Sequence, residues 1–134
     1  LSQVSDTHES ARGMIVNLPD ILFDVGKASL KSGAKYPLAK LAGILLIMQD
    51  LNLRIEGHTD STGSTRVNLR LSKQRADSVS EFLSSQGIDA SRIQTAGYGA
   101  ERPISDNSTA QGRRENRRVE IIISAGEIAE EQVM

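Results

Sequence analysis

The chain has 134 residues, of which 38% are hydrophobic and 25% charged, the size and make-up of one globular domain with a single core rather than of a disordered or fibrous protein. Sixteen basic against seventeen acidic residues leave a net charge of -1, which supplies no global field for nucleic acid or an anionic membrane, so any charge-based recognition has to be local. The absence of cysteine excludes disulfides, thiolate metal sites and a cysteine nucleophile, and it fits a reducing or an oxidising compartment equally well.

Residues 1–12 are polar without a clear period and read as a leader; 126–134 read as an acidic tail, leaving one domain over 13–125. The N-terminus lacks the apolar stretch of a signal peptide. The longest apolar run, Leu41 to Met48, falls far short of the roughly 20 residues that span a bilayer. A soluble domain is expected.

The first predicted element is a strand over Met14–Leu18, stopped by Pro19. A short apolar stretch, Ile21 to Phe23, then leads into a turn around Asp24 and Gly26. From Ser32 to Asp50 the residues Leu41, Ile44, Leu45 and Met48 recur at i, i+3, i+4, i+7, which predicts a helix with those four on its buried face. Pro37 either delays its start to about Tyr36 or kinks it.

In the next segment Leu51, Leu53, Ile55 and Thr59 alternate with Asn52, Arg54, Glu56 and His58. That is a strand with one dry and one wet face, and Asp60 falls just past its end. After the turn Ser61–Ser64 a second helix is expected from about Thr65 to Gln86, closed by Gly87. A strand near Ile93–Ala96, a long polar loop over Gly97–Asn116 and a last strand, Arg118–Ser124, complete the chain. The loop is too long for a plain connection and is a natural carrier of function. The element order predicts an α+β fold, a four-stranded mixed sheet with two main helices packed on one face.

Polar residues interrupt the apolar stripe of the second helix. With Leu71 at zero and about 100° per residue, Phe82, Val79 and Leu83 fall within one sector, and Arg75, near 40°, and Asn68, near 60°, fall among them. A buried guanidinium cannot lose its charge, so it must be paired or face a polar pocket. Asp60, at the strand end beside the helix start, is its expected neighbour. Two readings fit these residues: a structural Asp60–Arg75 ion pair, or a charged socket.

His58 and Asp60 have no third ligand or nucleophile marked near them, so no metal or cofactor is expected and hydrolysis is disfavoured. The arginines Arg113, Arg114, Arg117 and Arg118 suggest a nucleic-acid patch, against which stand the net charge and the scarcity of aromatics: two Phe, two Tyr and no Trp. No nucleic-acid partner is expected.

The motifs GHTDSTG (Gly57–Gly63), Asn68, LSKQRA (Leu71–Ala76) with Val79, GYGAERPISDNST and GRRENRRVEI together resemble the OmpA C-terminal-like domain. That family is shared by outer-membrane porin tails, peptidoglycan-associated lipoproteins and flagellar-motor stator proteins. The resemblance runs from about Val16 to Ile123. It implies a βαβαββ sandwich in the periplasm, as a domain of an outer-membrane or cell-envelope protein, reaching a membrane only through other parts of its parent.

It also implies non-enzymatic, non-covalent binding of the peptidoglycan peptide stem through meso-diaminopimelate, anchoring the parent protein to the cell wall. In that reading Asp60 takes the ammonium and Arg75 a carboxylate. Asn68 and Leu71 line the groove, Asp24 contributes side-chain or backbone contacts, and Arg117 approaches from the long loop. The rival expectations are a homo-oligomeric envelope scaffold or protein-interaction module, with self-association as a weak homodimer, and, further off, a peptidoglycan hydrolase using His58 and Asp60.

Overall fold

The computed structural model of the protein describes residues 6–10 and 12–126; the rest of the expected leader and the tail after 126 lie outside these residues. Among the described residues five strands form one mixed sheet. They are β1 (Asp6–Ser10), β2 (Gly13–Pro19), β3 (Leu51–His58), β4 (Ile93–Gly97) and β5 (Arg118–Ala125), in the order β1-β2-β5-β3-β4. Only the β3–β4 pair is parallel. The fold class is as expected, with one strand more.

The extra strand is β1, inside what reads as a leader. It pairs Asp6 through Ser10 with Asn17 through Gly13 at the sheet edge. Its Thr7, His8 and Ser10 are exposed. A polar edge strand paired through its backbone ladder carries no hydrophobic alternation for a pattern to reveal.

The helix α1 (Ser32–Ile47) starts five residues before Pro37, which it accommodates without ending. Its buried residues are Ala34, Leu38, Ala42 and Leu45, whereas Ile44 is 53% and Met48 48% exposed. The expected stripe is therefore rotated. Ala34 and Ala42 bring the helix close to its neighbours, and small residues carry little weight in a pattern built on large ones.

The helix α2 (Thr65–Ser85) is capped by Ser64, whose hydroxyl accepts from Val67 N at 3.1 Å. Together α1 and α2 cover the sheet face bearing Leu53, Ile55, Val119 and Ile121 and enclose one apolar core. Two glycines seat α2. Gly57 and Gly97 are register partners on β3 and β4, and a Cβ on Gly57 would stand 2.0 Å from the Ser72 carbonyl oxygen, one on Gly97 2.4 Å from Lys73 N.

The long loop contains a third, short helix, α3 (Ala110–Asn116), capped by Thr109. Asn116, fully buried, accepts from the amides of Ile104 and Ser105 and donates to Ser105 O and Asn107 Oδ1. One amide side chain thus organises the segment before α3, and Arg117 follows immediately.

Candidate binding site

Four charged side chains gather where the end of β3, the middle of α2, the turn after β2 and the end of α3 converge. Asp60 is 5% exposed. Its carboxylate accepts from the Thr62 amide at 2.8 Å, from the Thr62 hydroxyl, and from Arg117 Nη1 at 2.6 Å. Burial acts to raise its pKa, but the bonds from Thr62 and Arg117 outweigh it and hold the carboxyl below the ordinary range. Asn68 donates to Thr62 O at 2.9 Å and so fastens the same turn to α2.

Arg75, 4% exposed, points elsewhere. Nε donates to Lys27 O at 2.8 Å and Nη2 to Asp24 O at 3.4 Å, while the guanidinium lies 4.8 Å from the centre of the Phe23 ring. Its nearest carboxylate is Asp20, with Nη1 to Oδ2 at 3.7 Å, too long for a hydrogen bond. Burial lowers its pKa and Asp20 partly offsets this, yet a guanidinium remains charged. The expected Asp60–Arg75 contact is thus replaced by two: Asp60 with Arg117, and Arg75 loosely with Asp20.

Asp20 joins the two halves, because its Oδ2 also accepts from Arg117 Nε at 3.0 Å. Nothing in its sequence neighbourhood marks it; β2 ends at Pro19, and the single helical turn Asp20–Leu22 swings its side chain toward α3. The sequence reading also passes over Thr62, although an Asp that accepts from the amide two residues on is a recognisable turn pattern. Of the residues singled out, Asp60 is bonded to Arg117 and Arg75 to the Asp24 carbonyl, and among the described residues only Asp20 links the two pairs. Asn68 acts through the turn, and Leu71 lies half-buried between Asn68 and Arg75 on α2.

The wet face of β3 is corrected by the structure. Glu56 and His58 are buried, because residues from both ends of the sheet close over them. Arg12 donates to both Glu56 oxygens at 3.0 and 2.6 Å, and Arg54 Nε to Oε2 at 2.7 Å. His58 stacks on Tyr98, centroids 5.5 Å apart, and the Arg102 guanidinium lies over the Tyr98 ring, 3.9 Å from its centre. His58 and Asp60 therefore occupy different environments, and no ion pair or hydrogen bond joins them as an acid–base couple.

Of the four loop arginines, Arg118 ties the loop to the sheet through Glu120, Asn116 O and Arg102 O. Arg117, between α3 and β5, serves the charged cluster instead. Glu56, His58 and Glu120 are the one group of potential metal ligands among the described residues.

Neither ring nitrogen of His58 has a hydrogen-bond partner among the described residues. Burial, then the charge of Arg118, pushes its pKa down to about 3, so the folded imidazole is neutral while an unfolded one takes a proton near 6.5. The contribution is fully present above 6.5 and is lost as pH falls from there toward 3, where the unfolded chain binds the extra proton. Between about pH 7 and pH 5.5, above the carboxylate range, stability is expected to drop by about 1 kcal/mol more in the wild type than in His58→Gln. Urea midpoints of both proteins at the two pH values check this; parallel changes would mean that His58 titrates normally when folded.

Residues 22–117 match the OmpA family. The chain belongs to the OmpA family. Among relatives of this OmpA-family chain, the probable lipoprotein YiaD of Escherichia coli (strain K12) is 46% identical over 116 residues, covering 86% of this chain and 53% of that protein. Outer membrane protein Omp38 of Acinetobacter baumannii is 44% identical over 100 residues, 74% of this chain and 28% of that protein. The chain thus spans about half the length, or less, of these two relatives.

Solved structures of similar fold include the cell wall anchor of the T6SS from Pseudomonas aeruginosa, with a TM-score of 0.81 at 28% identity, covering 94% of this chain and 90% of that one. The peptidoglycan-associated lipoprotein from Burkholderia pseudomallei has a TM-score of 0.72 at 25% identity, over 77% of this chain and 87% of that one. No described helix is long and apolar enough to cross a membrane.

Proposed function

We propose that this OmpA-family domain works in the periplasm as a non-enzymatic anchor, binding the peptidoglycan peptide stem of the cell wall through the distal zwitterion of meso-diaminopimelate. Asp60 takes the ammonium and Arg75 the carboxylate. Association with peptidoglycan is supported by the two wall-associated neighbours named above. The diaminopimelate assignment is what the family resemblance implies, and the charges of the site are consistent with it.

The observation that carries it is the incomplete pairing of Arg75. A guanidinium has five N–H donors; here one is well used, a second makes a long bond, and the nearest carboxylate stands at 3.7 Å. A charge this buried needs a full partner, and an incoming carboxylate provides it. Asp60 has the complementary vacancy: a carboxylate offers about four lone-pair sites, of which Thr62 and Arg117 use three.

Asp20 and Arg117 brace the socket by holding both charged groups from behind. Asn68 and Leu71 form the α2 wall, and Asp24 contributes through its carbonyl. Lysine carries the ammonium without the distal carboxylate, so it satisfies Asp60 and leaves Arg75 as it was.

The test is calorimetric titration with a stem peptide bearing meso-diaminopimelate beside its lysine analogue. Losing the carboxylate contact is expected to weaken binding about tenfold to a hundredfold, the range of one charge-assisted bond. Equal affinity for the two peptides would remove Arg75 from the site, and silence toward both would remove the function.

A further inference from the structure

We propose that the cavity on the sheet face opposite α1 and α2 is a second binding site, for a small oxyanion, a carboxylate or phosphate group seated against His58 between Arg102 and Arg118. The cavity has a volume of about 240 Å³ and includes Pro103 and Ile104 at its margin. One water needs only roughly 10–15 Å³ on this scale, so a polyatomic ion fits. His58, 3% exposed, forms its floor with both ring nitrogens unpartnered among the described residues. A neutral imidazole has one N–H to give, and an oxyanion accepts it.

A divalent cation is the competing occupant, since ligand atoms of Glu56, His58 and Glu120 lie within 4.8 Å of one another. The geometry is against it. Both carboxylates already accept from guanidinium groups, Glu56 from Arg12 and Arg54 and Glu120 from Arg118. Beyond burial, the charges of Arg118, Arg102 and Arg12 disfavour a proton on His58, with Glu56 alone among the principal contributions favouring it. Surroundings that repel a proton repel a dication more strongly and attract an anion.

The charged and titratable groups facing His58 come from every neighbouring element: Arg12 from the β1–β2 turn, Arg54 and Glu56 from β3, Tyr98 after β4, Arg102 from the loop, and Arg118 and Glu120 from β5. Glu56 Oε1 already stands 4.0 Å from His58 Nε2, and a bound anion adds to that negative charge beside the imidazole. Anion binding and protonation of His58 then favour each other.

The experiment follows the imidazole NMR signals of the full chain, with His8→Gln assigning the two histidines. Sodium phosphate and sodium acetate are titrated separately at constant ionic strength against chloride. Saturable movement of the His58 signal is expected, with an affinity at least about threefold higher near pH 5.5 than near pH 7.5, weakened about tenfold by Arg102→Gln. The anion that acts identifies phosphate or carboxylate as the source. A shift no larger than that from chloride would leave only ordered water in the cavity, and saturation by zinc chloride with both anions silent would make it a cation site; either overturns the proposal.

Discussion

Asp60→Asn is expected to leave the fold intact and to weaken binding of the diaminopimelate stem peptide by about tenfold to a hundredfold, corresponding to about 1.5–3 kcal/mol for one charge-assisted hydrogen bond. The substitution keeps the shape and most of the hydrogen bonding, because an amide oxygen still accepts from Thr62 and Arg117 retains Asp20. What disappears is the counter-charge for the ammonium. Calorimetry on the variant, with its thermal unfolding as a control, reads the effect; undiminished affinity in a folded protein would exclude Asp60 as the ammonium partner. Since Thr62 and Arg117 hold the Asp60 carboxyl below its ordinary range, it stays ionised through mildly acid conditions, and the Asp60 contribution should fade only below the normal carboxylate pKa.

The second large effect is on folding. Gly57→Ala would put a Cβ 2.0 Å from Ser72 O, 2.7 Å from Ser72 C and 3.0 Å from Ser72 Cα. All three are backbone atoms of α2, so no flexible side-chain end can yield, and the helix as a whole must move off β3. A loss of about 3 kcal/mol or more is expected, a large part of the roughly 5–15 kcal/mol that stabilises an ordinary domain. Because α2 carries Asn68 and Arg75, ligand affinity should fall in whatever fraction remains folded. Gly33→Ala is the matched control: nothing lies within 4 Å of its added carbon, and in a helix alanine is favoured by about 1 kcal/mol. Urea unfolding of the two variants beside the wild type decides the matter, and a Gly57→Ala protein as stable as Gly33→Ala would contradict the close seating of α2.

These two residues show how the proposed binding site depends on the fold beneath it. Gly57 and Gly97 let α2 approach the sheet, α2 brings Arg75 over Phe23 and Asn68 over the Asp60 turn, and Asn116 orders the loop that delivers Arg117. Each charged group sits on a different element. The site is assembled only when all four are docked.

Much of this was legible in the sequence, and for identifiable reasons. The alternation of Leu51, Leu53 and Ile55, the Ser61–Ser64 turn before α2 and the Gly87 stop after it, and the last strand over Arg118–Ser124 each express a local rule about backbone period or chain ends. Arg75 and Asn68 stood out because they break the apolar stripe of α2, a misfit measurable along one helix. What the sequence could not determine was pairing between elements. It offered Asp60 as the partner of Arg75 from proximity along the chain, whereas the tertiary structure gives Asp60 to Arg117, 57 residues away, and places the unmarked Asp20 between the two arginines. It read Glu56 and His58 as wet because alternation reports which side of a strand a residue faces, while burial of that side depends on Arg12, Arg54 and the loop after β4 closing over it. Side-chain period is local physics and is written in the sequence; charge pairing and the covering of a face are set by packing of distant segments, which only the folded chain decides.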